Sequence, residues 1–165
     1  MKILGLKIWG HDTGAALLID DPAQNNPVDH QQGKQTLIGA SKVVAISQER
    51  LDRKKYSGTF PEKSVNYCLS TAGLKNINDV DLVAIEQMDT TPLLLIDLLK
   101  QHGWWNKIAD KTVFVNHHDA HAASAFFCSP FDNAAVMVVD SAGQKARLAT
   151  GLIGVETETF YRGDE

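Results

Sequence analysis

The chain is short of cysteine and of any excess of one charge, and each shortage closes off a class of protein. Two cysteines in 165 residues, Cys68 and Cys128, do not make a disulfide-framed secreted scaffold. Both lie within apolar helical patterns, which predicts buried free thiols, and their sparseness fits a reducing compartment. Sixteen Lys and Arg against twenty Asp and Glu leave a net charge of −4, with no long run of either sign. A nonspecific nucleic-acid binder is therefore not expected. No window reaches the roughly eighteen apolar residues of a membrane span. The N-terminus opens on a strand pattern, not on a charged segment followed by an apolar run. A cytoplasmic soluble protein is the expectation. What remains is ordinary globular material, 44% hydrophobic and 22% charged, enough for one core or for one and a half small lobes.

Against that background one stretch stands apart: Val113-Phe114-Val115-Asn116-His117-His118-Asp119-Ala120-His121-Ala122-Ala123-Ser124-Ala125-Phe126. It reads as a short buried strand running into a small-residue helix, with three histidines at the junction. His117 and His121 are four apart and share one helical face. Asn116 is placed to cap the helix, with Asp119 at the third helical position in a capping-box-like arrangement. The helix N-terminus disfavours imidazolium and keeps the histidines neutral and ligand-competent. It equally disfavours a metal cation, which would need Asp140, at the end of the apolar strand Ala134–Val139, and a further anion. Two imidazoles and one carboxylate at strand ends suit a catalytic metal with open positions. The plainer alternative is that the histidines bond backbone or cap neighbours. His118 lies about 100° round the helix from His117, which predicts that it either supports the ligands from behind or faces another ligand.

Taken in order, Lys2–Trp9 reads as a strand and Ala15–Ile19 as its hairpin partner. Gly10-His11-Asp12-Thr13-Gly14 forms the tip. Small residues there let a phosphate approach the backbone, with Thr13 and free amides as donors; otherwise it is a polar tip capped by its own Asp. Residues 20–34 read as a solvent loop. A third strand is expected over Ser41–Gln48, with a start near Thr36 as the alternative. Glu49-Arg50-Leu51-Asp52-Arg53-Lys54-Lys55-Tyr56-Ser57-Gly58-Thr59-Phe60-Pro61 follows, with cations that either solvate a face or reach an anion. Pro61 and Glu62 suit a helix start, and Val65, Cys68, Leu69 and Ala72 give its buried stripe, closed by Gly73. Asp81–Ile85 reads as a strand and Pro92–His102 as a leucine-rich helix, with Trp104 and Trp105 packing after it. Lys111–Val115 is the next strand. Lys145–Glu165 reads as a strand over Leu148–Val155 and a polar tail.

Three antiparallel strands, then helix, strand, helix, strand, helix, is the order of a ribonuclease-H-like α/β lobe with a mixed five-stranded sheet. The first lobe is expected over residues 1–131 and the start of a second over 132–165. Ligands in open α/β sheets collect at strand carboxyl ends. The hairpin tip, the basic stretch and the histidines all leave such ends, so the chemistry converges on one rim.

The segment Asn116–Phe131, with Ala134-Ala135-Val136 and Asp140, resembles the NodU/CmcH-type O-carbamoyltransferases. So do Ile3-Leu4-Gly5-Leu6 with His11-Asp12, and Glu49–Lys55 with Phe60-Pro61. The resemblance spans about residues 2–140. It implies a lobe of the actin-like ATPase superfamily, related to the TsaD component of tRNA threonylcarbamoyladenosine synthesis. It also implies use of ATP and carbamoyl phosphate to make a carbamoyl-adenylate, and transfer of the carbamoyl group to a hydroxyl of a small molecule. By position, His117, His121 and Asp140 would ligate an iron-type divalent metal, which would polarise the carbamoyl carbonyl. His11 and Asp12 would flank the acceptor hydroxyl as candidate general base. Lys55 and Arg53 would contact anionic substrate.

The chain departs from that family in three places. Its loop over residues 20–34 is longer. Ser141-Ala142-Gly143-Gln144 stands after Asp140, where the family has a glycine-rich phosphate turn. Family members are several times longer, so this chain is expected to be the amino-terminal piece of a larger enzyme, inactive alone, with a completing carboxy-terminal domain or a second copy as partner. Two other readings follow: a noncatalytic binding or regulatory module of the same fold, and threonylcarbamoyl transfer to tRNA.

Overall fold

The computed structural model describes residues 1–20, 40–88, 90–147 and 150–164. The expected loop over residues 20–34 lies almost wholly outside the described residues, as does the early start of the third strand near Thr36.

Alternation of apolar residues builds the central sheet. Strands β1 (Lys2–Lys7), β2 (Gly14–Asp20) and β3 (Ala40–Ser47) form the antiparallel meander, and β4 (Leu82–Gln87) and β5 (Thr112–Asn116) add in parallel. The order is β3-β2-β1-β4-β5, a mixed five-stranded sheet in an α/β chain. Register places Leu4 beside Leu17 and Val83, and Leu17 beside Val44. These side chains enter one core with Leu6, Ile8 and Ile85. Each fully buried aliphatic side chain here contributes roughly 1.5–3 kcal/mol relative to exposure.

A single helical turn, α1 (Glu49–Asp52), follows β3. Helices α2 (Glu62–Thr71), α3 (Pro92–Gln101) and α4 (Trp105–Ile108) supply the other half of that core through Val65, Cys68, Leu69, Leu95, Leu99 and Ile108. Pro61 occupies the N-cap of α2 and has no side chain to cap with. Gln48, buried just beyond β3, takes that part: its Oε1 accepts from Ser64 N at 3.1 Å and from Ser64 Oγ at 2.8 Å. Helix α3 is capped by Thr91, whose Oγ1 accepts from Leu94 N at 3.3 Å. Trp104 packs edge-on to Phe60 with ring centroids 4.8 Å apart.

Neighbouring residues on the sheet alternate to the opposite face. There Gly5, Ala16, Ala45 and Ala84 floor an apolar trough of about 630 Å³, with Lys7 and Glu86 among its lining residues. Helix α5 (His117–Phe126) borders this trough through Ala120. Beyond α5, strand β6 (Asn133–Val139) pairs antiparallel with β9 (Glu158–Asp164), while the short β7 (Lys145–Arg147) and β8 (Ile153–Val155) pair with each other.

Three expectations are corrected. Cys128 is exposed, because α5 ends at Phe126 and the thiol falls in the turn after it. The expected strand over 148–155 is confined to Ile153–Val155 among the described residues. The expected polar tail is largely strand β9, whose alternating exposure and pairing with β6 make it one edge of a ribbon.

Candidate metal centre and substrate rim

Parallel pairing brings the carboxyl ends of β1, β4 and β5 to one edge of the sheet, and Ser47 of β3 reaches the same edge opposite Gly14. The hairpin tip, the basic loop and the histidine helix thus leave a common rim.

The start of α5 is fixed by Asn116, whose Oδ1 accepts from His118 N at 2.7 Å and Asp119 N at 3.3 Å. This satisfies two of the amides that a helix N-terminus leaves without partners. Asp119 does not reach back to complete a capping box. Its Oδ1 instead accepts from the Tyr161 hydroxyl of β9 at 2.8 Å. Burial first, and the Asp119 hydrogen bond second, push that hydroxyl up to about 12.

His117, largely buried, follows directly. Its Nε2 lies 2.8 Å from Asp140 Oδ2 and 3.2 Å from His121 Nε2, and His121 Nε2 lies 3.5 Å from the same carboxylate oxygen. Asp140 is held at the end of β6 by its N–H to Thr157 O at 2.8 Å, and its Oδ1 accepts from Ser141 N at 2.6 Å. The His117 hydrogen bond leads in holding the Asp140 carboxyl below its ordinary range. One atom from each of the three residues lies within 4.8 Å of the others. Ligands about 2.0–2.2 Å from one first-row ion lie roughly 3 Å from one another, so these spacings fit a shared cation. The mixed imidazole and carboxylate set suits iron- or zinc-class metals over calcium or magnesium.

Sequence reasoning missed Glu86. Its Oε1 lies 2.6 Å from His117 Nδ1, on the other nitrogen of the ring. The expected strand stopped at Ile85, whereas β4 continues to Gln87. A polar pair just after a buried run was the available signal. His118 is not one of the three clustered residues. It is fully buried, with Nδ1 2.6 Å from Thr159 Oγ1.

The second part of the rim is the hairpin tip. His11 is exposed and Asp12 half-buried, with Nδ1 and Oδ2 2.7 Å apart. Asp12 has φ 56°, and Arg53 and Tyr56 in the facing loop have φ 61° and 55°. Three non-glycine residues in the left-handed region form a concentration of backbone strain. The loop is strapped down by Asp52, whose Oδ2 accepts from Ser57 Oγ at 2.5 Å and Thr59 Oγ1 at 2.7 Å. An added Cβ at Gly58 would fall 2.5 Å from Gly10 O, so only glycine lets loop and tip meet. Lys55 Nζ sits 4.8 Å above the Tyr56 ring, and that ring meets His11 edge-on at 6.3 Å. Lys55, Tyr56, His11 and Asp12 are therefore neighbours; Tyr56 was not anticipated.

Thr13 requires a correction. Expected as a phosphate donor, it is fully buried. Its N–H donates to Ser57 O at 3.0 Å and its Oγ1 donates to Ser57 O at 3.2 Å and Thr59 O at 2.6 Å. It fastens the loop to the tip.

Residues 91–159, from α3 through β8 and including all three clustered residues, match the sequence model described as the carbamoyltransferase N-terminus. The chain is 32% identical over 179 residues to an uncharacterized protein of Synechocystis sp., covering 87% of this chain and 26% of that protein. It is 30% identical over 138 residues to the nodulation protein NolNO of Sinorhizobium fredii, covering 71% of this chain and 20% of that protein. It is 32% identical over 116 residues to an uncharacterized protein of Methanocaldococcus jannaschii, covering 70% of this chain and 21% of that protein. The aligned region thus spans about a quarter or less of each of these relatives. Residues 91–159, which carry the histidine helix, thus belong to the carbamoyltransferase N-terminus family.

Proposed function

We propose that this chain is the metal-binding, amino-terminal portion of an O-carbamoyltransferase that uses ATP and carbamoyl phosphate and carbamoylates a hydroxyl of a small-molecule acceptor. The observation that carries the reading is the clustering of His117, His121 and Asp140 within the family-matched segment. In this reading the five-stranded sheet is a ribonuclease-H-like lobe of an actin-like ATPase, and residues 132–165 begin a second lobe. The remaining length of the relatives would supply the rest of the machinery, in the cytoplasm.

When bound, a divalent iron-type ion would supply Lewis acidity to the carbamoyl carbonyl. The chain's own residues do the rest. Buried His117 and half-buried Asp140 give fixed donors, and exposed His121 leaves the solvent side open for substrate. The His11–Asp12 pair accepts the acceptor hydroxyl's proton as oxygen attacks the carbamoyl carbon and the bond to the phosphate oxygen breaks. Lys55 and Arg53 attract the anionic donor.

A second reading, a noncatalytic module of the same fold, draws support from the turn after Asp140. A phosphate-binding turn presents free amides. Here Ser141 N donates to Asp140 Oδ1, Gly143 N to Glu156 O at 2.6 Å, and Gln144 N to Glu156 Oε2 at 3.2 Å.

Two experiments divide the readings. Anaerobic Fe(II) loading followed by metal analysis should give one ion per chain, lost in His117→Ala and in His121→Ala; equal uptake by all three proteins rejects the ligand set. Carbamoyl transfer is read with the protein purified from its source, ATP and labelled carbamoyl phosphate. Nucleotide turnover tied to metal supports the enzyme, and absence of any nucleotide binding supports the module.

A further inference from the structure

We propose that Glu86 is the positioning residue of the His117–His121–Asp140 cluster, holding His117 as the Nδ1–H tautomer so that Nε2 presents its lone pair to a divalent cation. The inference rests on the metal-binding reading above and adds to it a residue outside the donor triangle.

The ring of His117 faces acidic or basic partners through both nitrogens. Nδ1 lies 2.6 Å from Glu86 Oε1, while Nε2 faces Asp140 Oδ2 at 2.8 Å and His121 Nε2 at 3.2 Å. An ionised carboxylate only accepts hydrogen bonds, and here one faces each ring nitrogen, Glu86 at Nδ1 and Asp140 at Nε2. A cation held between Nε2, Asp140 and His121 takes the place of a proton on that side and leaves the ring proton on Nδ1, against Glu86. A neutral imidazole then has one nitrogen left as a lone-pair donor, and it is the one aimed at the other two ligands. A carboxylate behind a ligating histidine fixes ring orientation and tautomer and raises ligand basicity.

The placement of Glu86 is built into the sheet. It stands on β4 next to fully buried Ile85 and pairs in register with Val115 of β5, two residues before His117. Glu86 thus hangs from β4, and His117 from the first position of α5, directly after the adjacent parallel strand β5. The Glu86 side chain is only 16% exposed and that of His117 9%, against 30% for Asp140 and 52% for His121. Glu86 and His117 form the dry side of the cluster, where a hydrogen bond orients most firmly. Two carboxylates also match the charge of one divalent ion, with Asp140 inside the donor set and Glu86 behind it.

The test uses Zn(II) and Co(II) as probes with wild type, Glu86→Gln, Glu86→Asp and His117→Ala. Metal affinity is measured by competition with a chelating dye, and ring protonation by long-range proton–nitrogen NMR of labelled histidine. Wild type should bind with His117 protonated at Nδ1. Glu86→Gln, which keeps shape and loses charge, should bind about 10–100-fold more weakly with unchanged thermal unfolding of the metal-free protein. Glu86→Asp should recover part of that loss. Equal affinity in wild type and Glu86→Gln overturns the role of Glu86 while leaving the metal reading intact. Failure of wild type to bind either ion, or binding undiminished in His117→Ala, overturns both. If Glu86→Gln does not fold, the wild-type spectrum decides: a metal-loaded His117 protonated at Nε2 rejects the proposal.

Discussion

Gly143 lies against the imidazole of His118: a Cβ added there would come within 2.5 Å of Nε2 and 2.6 Å of Cδ2, with Glu156 Cβ at 3.1 Å. His118 is fully buried and anchored to Thr159, so it has little room to yield. Gly143→Ala is predicted to destabilise the protein by about 1–3 kcal/mol, the usual range for overpacking. Urea unfolding of the two proteins measures it; equal midpoints would mean the turn shifts freely.

Thr13 joins tip and loop across 44 residues of sequence. Thr13→Val keeps the shape and removes the hydroxyl, leaving the Thr59 carbonyl short of a donor. The expected cost is about 1–3 kcal/mol, localised to residues 52–60. Hydrogen exchange should show faster amide exchange there, with the core of β1 and β4 unchanged. Uniform acceleration would instead point to global destabilisation.

Asp52 gives the loop a pH dependence. The Ser57 hydroxyl first and the Thr59 hydroxyl second hold its carboxyl down to about 2, against an ordinary 3.8. A carboxyl depressed on folding contributes stability that is fully present above its unfolded value and lost as pH falls through its folded one. The contribution should therefore fade between 3.8 and about 2. Asp79 and Asp140 shift in the same direction and add to the acid sensitivity. Asp52→Asn should flatten the acid limb of a plot of stability against pH, and an unaltered slope would remove Asp52 from the account.

The two thiols should differ in reactivity. Cys68 is fully buried, its Sγ within 3.5 Å of Ala15 O and 3.4 Å of Val44 O, and burial raises its pKa. Cys128 is exposed. A thiol reagent should label one cysteine in the native protein and the second only in denaturant. Rapid labelling of both would contradict the packing of α2 on β2 and β3.

Much of the architecture was legible because its signals are local. The alternation in β1 to β3 and the stripe Val65, Cys68, Leu69 each follow from spacing alone, as does the apolar run of β4. The His117–His121 pair is legible for the same reason, being one helical turn. The less legible features depend on partners far along the chain. Thr13 is buried because of Ser57 and Thr59, β9 is a strand because of β6, and Glu86 matters because of His117. Helix α5 stops before Cys128 at a turn in which Ser129 N and Oγ both donate to Phe126 O, a closure that apolar periodicity does not announce.

The strand order β3-β2-β1-β4-β5 carries a consequence for the sequence of folding events. The β1–β2 hairpin pairs neighbours and closes early. The second edge of β1 waits for β4, whose Leu82 pairs with Ile3 almost eighty residues away and is clasped by Lys2 N to Asp81 Oδ2 at 2.7 Å and Asp81 N to Lys2 O at 2.9 Å. Distant parallel pairing is slow to form, because loop closure precedes its reward. Until residue 87 has left the ribosome, the future centre of the sheet is an open strand edge. Such an edge invites pairing with another nascent chain. The strand that ends up most protected in the finished protein is the one most vulnerable during its synthesis.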